Sequence, residues 1–211
     1  MAKLVIPYKE AKKYIKDADV LLFQAPPFPS IGFWITRYTG GIHSHVALAH
    51  WSNNRLMCVE QREFKGGRSV VLKSQVAQHP NRIDVYRAKP HVTIPEVSYE
   101  DGHLGIKLVN TKLGDQRCKA IIDTALDITG QPYGWKNIWK IFVGYAPLLR
   151  LVRSNKNGDM EVSDCNVCST LGSYAFRINY ADPVPGLKDA RTSPADLERS
   201  FLFDYLFTIG D

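Results

Sequence analysis

The chain reads as an α+β domain, a mostly antiparallel sheet packed against helices, and three observations predict it. Four segments of strand character, 45–50, 55–63, 69–72 and 82–88, follow one another and together make a mostly antiparallel sheet. The segment 115–129 keeps Cys118, Ile121, Ile122, Ala125, Leu126 and Ile128 at helical spacing, and Gly130 ends it. Finally, 211 residues with 45% apolar and 23% charged side chains are enough for one soluble domain with a substantial core, so 1–211 is taken as a single unit.

Each element has its own local signal. Residues 9–16 predict a short amphipathic helix, and 19–24 (DVLLFQ) a buried strand closed by Pro26 and Pro27. A second helix is expected from Ser30 to Tyr38, with Ser30 as its cap and Gly40-Gly41 as its stop. The strand 82–88 alternates cleanly. The polar run 153–159 reads as a loop, after which Ser163 or Asp164 caps a helix reaching about Arg177. Ser193-Pro194 then opens one more helical turn, since proline is tolerated in a first turn.

Composition excludes several classes of function. The apolar-leaning stretch 138–152 is broken by Lys140, Gly144, Pro147 and Arg150, so no transmembrane helix is expected. The start is too weakly apolar for a secretory signal, which makes a reducing, cytoplasmic setting with free thiols the default. A formal charge of +6 biases the surface toward anions, including acidic lipids and cell-wall polymers, so peripheral membrane contact stays open. No basic run is interleaved with aromatics, and nucleic-acid binding is not expected.

Two short segments carry the chemistry: Gly41-Ile42-His43-Ser44-His45-Val46 and Asp164-Cys165-Asn166-Val167-Cys168-Ser169. If Trp51 to Asn54 form a four-residue hairpin loop, His50 faces Arg55 and His45 lies opposite Glu60. Directly opposed Cβ atoms are roughly 5 Å apart, close enough for a carboxylate to orient an imidazole. A two-residue loop, Asn53-Asn54, would instead set His45 opposite Arg62, with Glu60 still a near neighbour on the same face. Ala47 and Ala49 share that face and leave room beside the imidazole. Cys168, Leu171, Gly172 and Ala175 form a helical stripe, placing Cys168 near a helix start that favours a thiolate. A histidine held by Glu60 then takes the thiol proton and later protonates the leaving group. His43 and His50 read as hydrogen-bonded structural residues, and Cys58 and Cys118 as packing residues. Two rival readings use the same atoms: a tetrahedral zinc site from His43, His45, Cys165 and Cys168, and a Cys165/Cys168 redox dithiol.

The segments DVLLFQ (19–24), SHVAL (44–48), Val59-Glu60, Gln131-Pro132-Tyr133, CSTL (168–171) and TSPADL (192–197) occur in this order, and together they resemble the circularly permuted NlpC/P60 families of the papain-like superfamily, in particular the YiiX/YaeF-like branch. The resemblance runs from about Asp19 to Ser200 and implies a permuted papain-like fold in which the histidine strand precedes the nucleophile helix. It implies Cys168 as nucleophile, His45 as base and Glu60 as the residue orienting it, with Gln24 as an oxyanion donor and Tyr133 lining the cleft. The implied activity is a cysteine peptidase or amidase working through an acyl-enzyme on cell-wall peptides, with no cofactor and no metal. The alternatives are a lipid acyl hydrolase or acyltransferase, and a non-catalytic binding module holding zinc. Cys165 and the aromatic segment at about 136–160 have no counterpart in the family pattern; the latter reads as a lid or an interface element, with Trp139 and Phe142 suited to either use.

Overall fold

The computed structural model describes residues 3–62, 65–100, 103–130 and 167–211. In chain order the elements are β1 (Val5–Pro7), α1 (Tyr8–Ala11), β2 (Val20–Gln24), α2 (Ile31–Thr39), β3 (His43–Ser52), β4 (Arg55–Arg62), β5 (Gly66–Val71), α3 (Leu72–Gln78), β6 (Ile83–Ala88), β7 (His91–Glu100), β8 (His103–Lys112), α4 (Asp115–Asp127), α5 (Cys168–Ile178), a 3-10 turn (Asp189–Arg191), α6 (Pro194–Glu198) and β9 (Phe203–Gly210). Seven strands form one sheet in the order β1-β9-β6-β2-β3-β4-β5, and β7 and β8 form a separate two-stranded ribbon. Every neighbouring pair in the large sheet is antiparallel except β1 with β9. This is the α+β class, with a mostly antiparallel sheet, that the sequence predicts.

Alternation along the strands divides the apolar residues between two layers. Val20, Leu22, Val46, Leu48 and Val59 pack with Ile121, Ile122 and Ala125 of α4 and with Leu171, Ala175 and Phe176 of α5. Leu21, Phe23, Ala47, Ala49, Cys58, Ile83 and Val85 pack with Ala11 of α1 and with Leu72 and Val76 of α3. A fully buried Leu or Phe stabilises the fold by roughly 1.5–3 kcal/mol, so Leu171 and Phe176 alone anchor α5 firmly.

Several local details decide where the site forms. The β3–β4 hairpin turns at Asn53-Asn54, both with positive φ (48° and 60°), the conformation of a two-residue type I′ turn. Trp51 and Ser52 belong to the strand and pair with Leu56 and Arg55, so the four-residue loop is corrected to a two-residue one. Ala47, not His45, therefore stands opposite Glu60. In α2, Ser30 accepts the Phe33 N–H at 3.0 Å and Gly40 closes the helix with φ 69°. The helix expected over 9–16 stops at Ala11, with turns following it, and Leu72 begins α3 instead of closing a strand. The caps expected at Ser163 or Asp164 lie outside the described residues; α5 itself begins at Cys168, with Val167 in extended conformation at its N-cap position. Ser193 and Asp196 form a reciprocal capping box at the start of α6, where Pro194 takes the first turn.

Candidate active site

A register shift in the β2–β3 pair separates the two histidines. Phe23 pairs with His45 while Gln24 pairs with His43, which leaves Ser44 as the extra residue of a bulge. Consecutive residues of β2 face opposite sides of the sheet, so their partners His43 and His45 do as well. The imidazole of His45 stands edge-on to Phe23, with ring centroids 5.1 Å apart.

His45 lies between an acid and a thiol. Its Nε2 is 2.7 Å from Glu60 Oε2, and Cys168 is near enough to act on the charge of the imidazole. Glu60 is fully buried; its Oε1 accepts from Arg68 Nε at 2.9 Å and from Nη2 of the same guanidinium. Arg62 Nη1 is a more distant neighbour at 3.5 Å from Oε2. Burial opposes charge on both partners, yet the opposed charges prevail. Burial alone would raise the Glu60 carboxyl, but the hydrogen bond and charge of His45 and the two arginines hold it at about 2. Burial alone would lower His45, but Cys168 and Glu60 push it up to about 10. Near neutral pH the pair is an imidazolium facing a carboxylate.

Cys168 is buried at the first turn of α5, and Val167 before it offers no side-chain cap to the helix end. The helix is held close to β3: a Cβ on Gly172 would meet Val46 Cγ1 at 3.4 Å. The two other described cysteines differ in setting. Burial raises the Cys58 thiol far above its ordinary value, and burial also raises Cys118.

A pocket of about 270 Å³ opens beside His45, and Phe23, Gln24, Ser44, Arg62 and His79 are among its walls. Gln24 Nε2 donates to Asp84 Oδ2 at 3.1 Å, so the amide proposed for an oxyanion is held by an acid behind it. Asp84 also meets Lys3, accepts from Thr208 Oγ1 at 2.5 Å, and lies 2.7 Å from His43 Nε2. The second nitrogen of His43, Nδ1, is 2.9 Å from Glu198 Oε2. Tyr133, Cys165 and the segment 136–160 lie outside the described residues.

This arrangement decides how the zinc set fares. His43 faces away from His45 and has both ring nitrogens on carboxylates, while His45 separates Glu60 from Cys168 instead of converging with them on one point. Among the described residues no group of three or more His, Cys, Asp or Glu side chains is arranged to hold a metal ion. The described donors do not fit a zinc ion bound by His43, His45 and Cys168.

Sequence reading missed three groups of this site. Arg68 reaches Glu60 because Glu60 pairs with Arg68 across β4–β5, and His79 comes from the end of α3. The Asp84–His43–Glu198 chain joins residues from three separate elements. The alternation of 82–88 located Asp84 on a strand, but no local signal tied it to His43.

No family model matches this chain, and no curated protein matches it. Among solved structures it is similar to the crystal structure of the metalloprotein YiiX from Escherichia coli O157:H7, with a TM-score of 0.56 and 12% sequence identity over 93% of this chain and 98% of that one. The two share a fold over nearly their whole lengths. Among the described residues no helix is long and apolar enough to cross a membrane.

Proposed function

We propose that the chain is a cysteine hydrolase of the permuted papain-like type in which Cys168 attacks a carbonyl, His45 handles the proton and Glu60 orients and charges His45. The observation that carries this reading is the placement of one imidazole between a buried carboxylate, 2.7 Å from Nε2, and a cysteine at the first residue of a helix. With the proton held on His45 as an imidazolium, the Cys168 thiolate adds to the carbonyl carbon of an amide. The new C–S bond forms as the C–N bond breaks, and the departing amine takes the proton from His45. Water then gives a proton back to His45, attacks the thioester and releases the acid and the free thiol. The Cys168 backbone N–H and the Gln24 amide are the donors available to the oxyanion, and Asp84 holds the latter in place.

Peptide amides of the kind found in cell walls are the leading substrate. A lipid acyl group is the second reading, and it draws on exposed Phe28 and Trp34 on and beside α2, whose residues Ile31 and Gly32 line the same pocket. Incubating the protein with cell-wall peptide fragments and with acyl lipids, and following new amine ends and free fatty acid, separates the two. Cys168→Ala is expected to lower either activity by at least ~10³-fold. Turnover that survives in Cys168→Ala contradicts the proposal.

A further inference from the structure

The walls of the pocket hold more positive charge than the catalytic pair uses. One carboxylate, Glu60, faces two guanidinium groups and the imidazole of His45. Both of its oxygens are served without Arg62: Oε1 by the fork of Arg68 and Oε2 by His45 at 2.7 Å. Arg62 reaches Oε2 only at 3.5 Å, the limit of a hydrogen bond. Its short contacts go to uncharged groups, Gln75 Oε1 at 2.8 Å from Nη1 and His79 Nε2 at 2.9 Å from Nη2. Pairing His45 with a Cys168 thiolate still leaves two guanidiniums on one carboxylate.

His79 completes this wall. Burial, with the charges of Arg62 and His45, lowers its pKa to about 4, so it is neutral at physiological pH and adds no charge of its own. Its Nε2 accepts from Arg62, which places the ring proton on Nδ1 and makes that nitrogen a donor. Its ring is steadied edge-on against Phe23, with centroids 5.3 Å apart. Arg62 and His79 both line the pocket beside His45.

We propose that Arg62 and His79 form an anion-recognition wall and that the substrate of Cys168 carries a carboxylate close to its reactive carbonyl. This rests on the hydrolase reading and narrows its substrate class to acidic acyl or peptidyl groups. An arginine whose short contacts are to neutral groups, with its one carboxylate neighbour at 3.5 Å, attracts a further carboxylate in a partly desolvated pocket and penalises a neutral isostere that leaves its donors poorly paired. Arg62 is then a specificity-determining residue, and Gln75 positions it.

A matched pair of thiol reagents tests this without any need for turnover. Iodoacetate and iodoacetamide form the same kind of S–C bond with loss of iodide, and they differ in one carboxylate. The ratio of their rates at Cys168, read by peptide mass analysis, is expected to fall about tenfold in Arg62→Gln, the scale of one charge-assisted hydrogen bond, and to recover in part in Arg62→Lys. A change in thiol reactivity as such moves both rates and leaves the ratio alone. If Arg62→Gln does not fold, protection of the parent's Cys168 from iodoacetamide by succinate, and not by succinamide, supports the proposal in its place. An unchanged ratio in folded Arg62→Gln, or equal protection by the two ligands, overturns the anion wall and leaves the nucleophile standing. A Cys168 inert to both reagents overturns the hydrolase reading and this one together.

Discussion

His45 Nε2 meets Glu60 Oε2 at 2.7 Å across the β3–β4 hairpin from a diagonal position, because the residue directly opposite Glu60 is Ala47. The small side chain at position 47 lets the carboxylate lean along the strand toward the imidazole. Arg68 from β5 holds its far oxygen and keeps it from turning back. A carboxylate gripped from both sides gives the imidazole one orientation and a stabilised charge, and these are the two things a thiol-activating histidine requires.

Replacing Glu60 by Gln is expected to preserve a hydrogen bond to His45 but remove the charge that helps to keep the imidazole protonated. The His45 pKa, raised to about 10 in the parent, should fall in Glu60→Gln. The alkaline limb of the iodoacetamide rate against pH at Cys168 reports this, and it should move to lower pH. An unmoved limb means another group sustains the charge of His45.

Cysteine reactivity should be sharply ranked. Cys58 is buried with a strongly raised thiol, Cys118 is raised by burial, and Cys168 meets an imidazolium at a helix end. Limited iodoacetamide near neutral pH should modify Cys168 ahead of Cys58, Cys118 and Cys165. First modification at Cys165 would move the nucleophile by three residues.

Acid stability follows from the two depressed carboxyls. Glu60 and Asp84 are both held at about 2 in the folded protein, below their ordinary values of 4.5 and 3.8. A folded pKa below the unfolded one contributes stability above the unfolded value and loses it as pH falls toward the folded value. The melting temperature should therefore drop between pH 4.5 and about 2. In Glu60→Gln the drop should be shallower, because one of the two protons is no longer taken up; an identical slope in thermal melts contradicts the Glu60 contribution.

The seat of α5 on β3 also has a measurable consequence. Since a Cβ at Gly172 already approaches Val46 at 3.4 Å and Leu197 at 3.7 Å, the γ-carbons of Gly172→Val must push the helix outward. A cost of roughly 1–3 kcal/mol in urea unfolding is expected, together with slower alkylation of Cys168 as it withdraws from His45. Unchanged stability would mean that α5 has slack at this contact.

Local signals were enough for what is local. An apolar run closed by two prolines located β2, strand character located β3 and β4, alternation located β6, and Ser30 with Gly40 marked both ends of α2. Of the two hairpin loops the sequence allows, the structure adopts the shorter one, because the two consecutive asparagines accept the positive φ of a two-residue turn while Trp51 and Ser52 extend the strand. The choice between them shifts the register by two residues, which keeps the same face, so His45 and Glu60 still meet. Arg68, His79 and the Asp84–His43–Glu198 chain were not legible, since each depends on which distant strands become neighbours. The bulge at Ser44, which sends His43 and His45 to opposite sides, has no signal in the hexapeptide around it.

The central claim, that Cys168 forms an acyl-enzyme with the help of His45, is tested most directly by intact-protein and peptide mass analysis after brief mixing with an activated acyl ester. The expected result is one acyl group per chain, located on Cys168, that forms fast in the parent and is lost in His45→Gln and in Cys168→Ala. An acyl group on another residue, or full acylation of Cys168 in His45→Gln at the parent rate, contradicts the account.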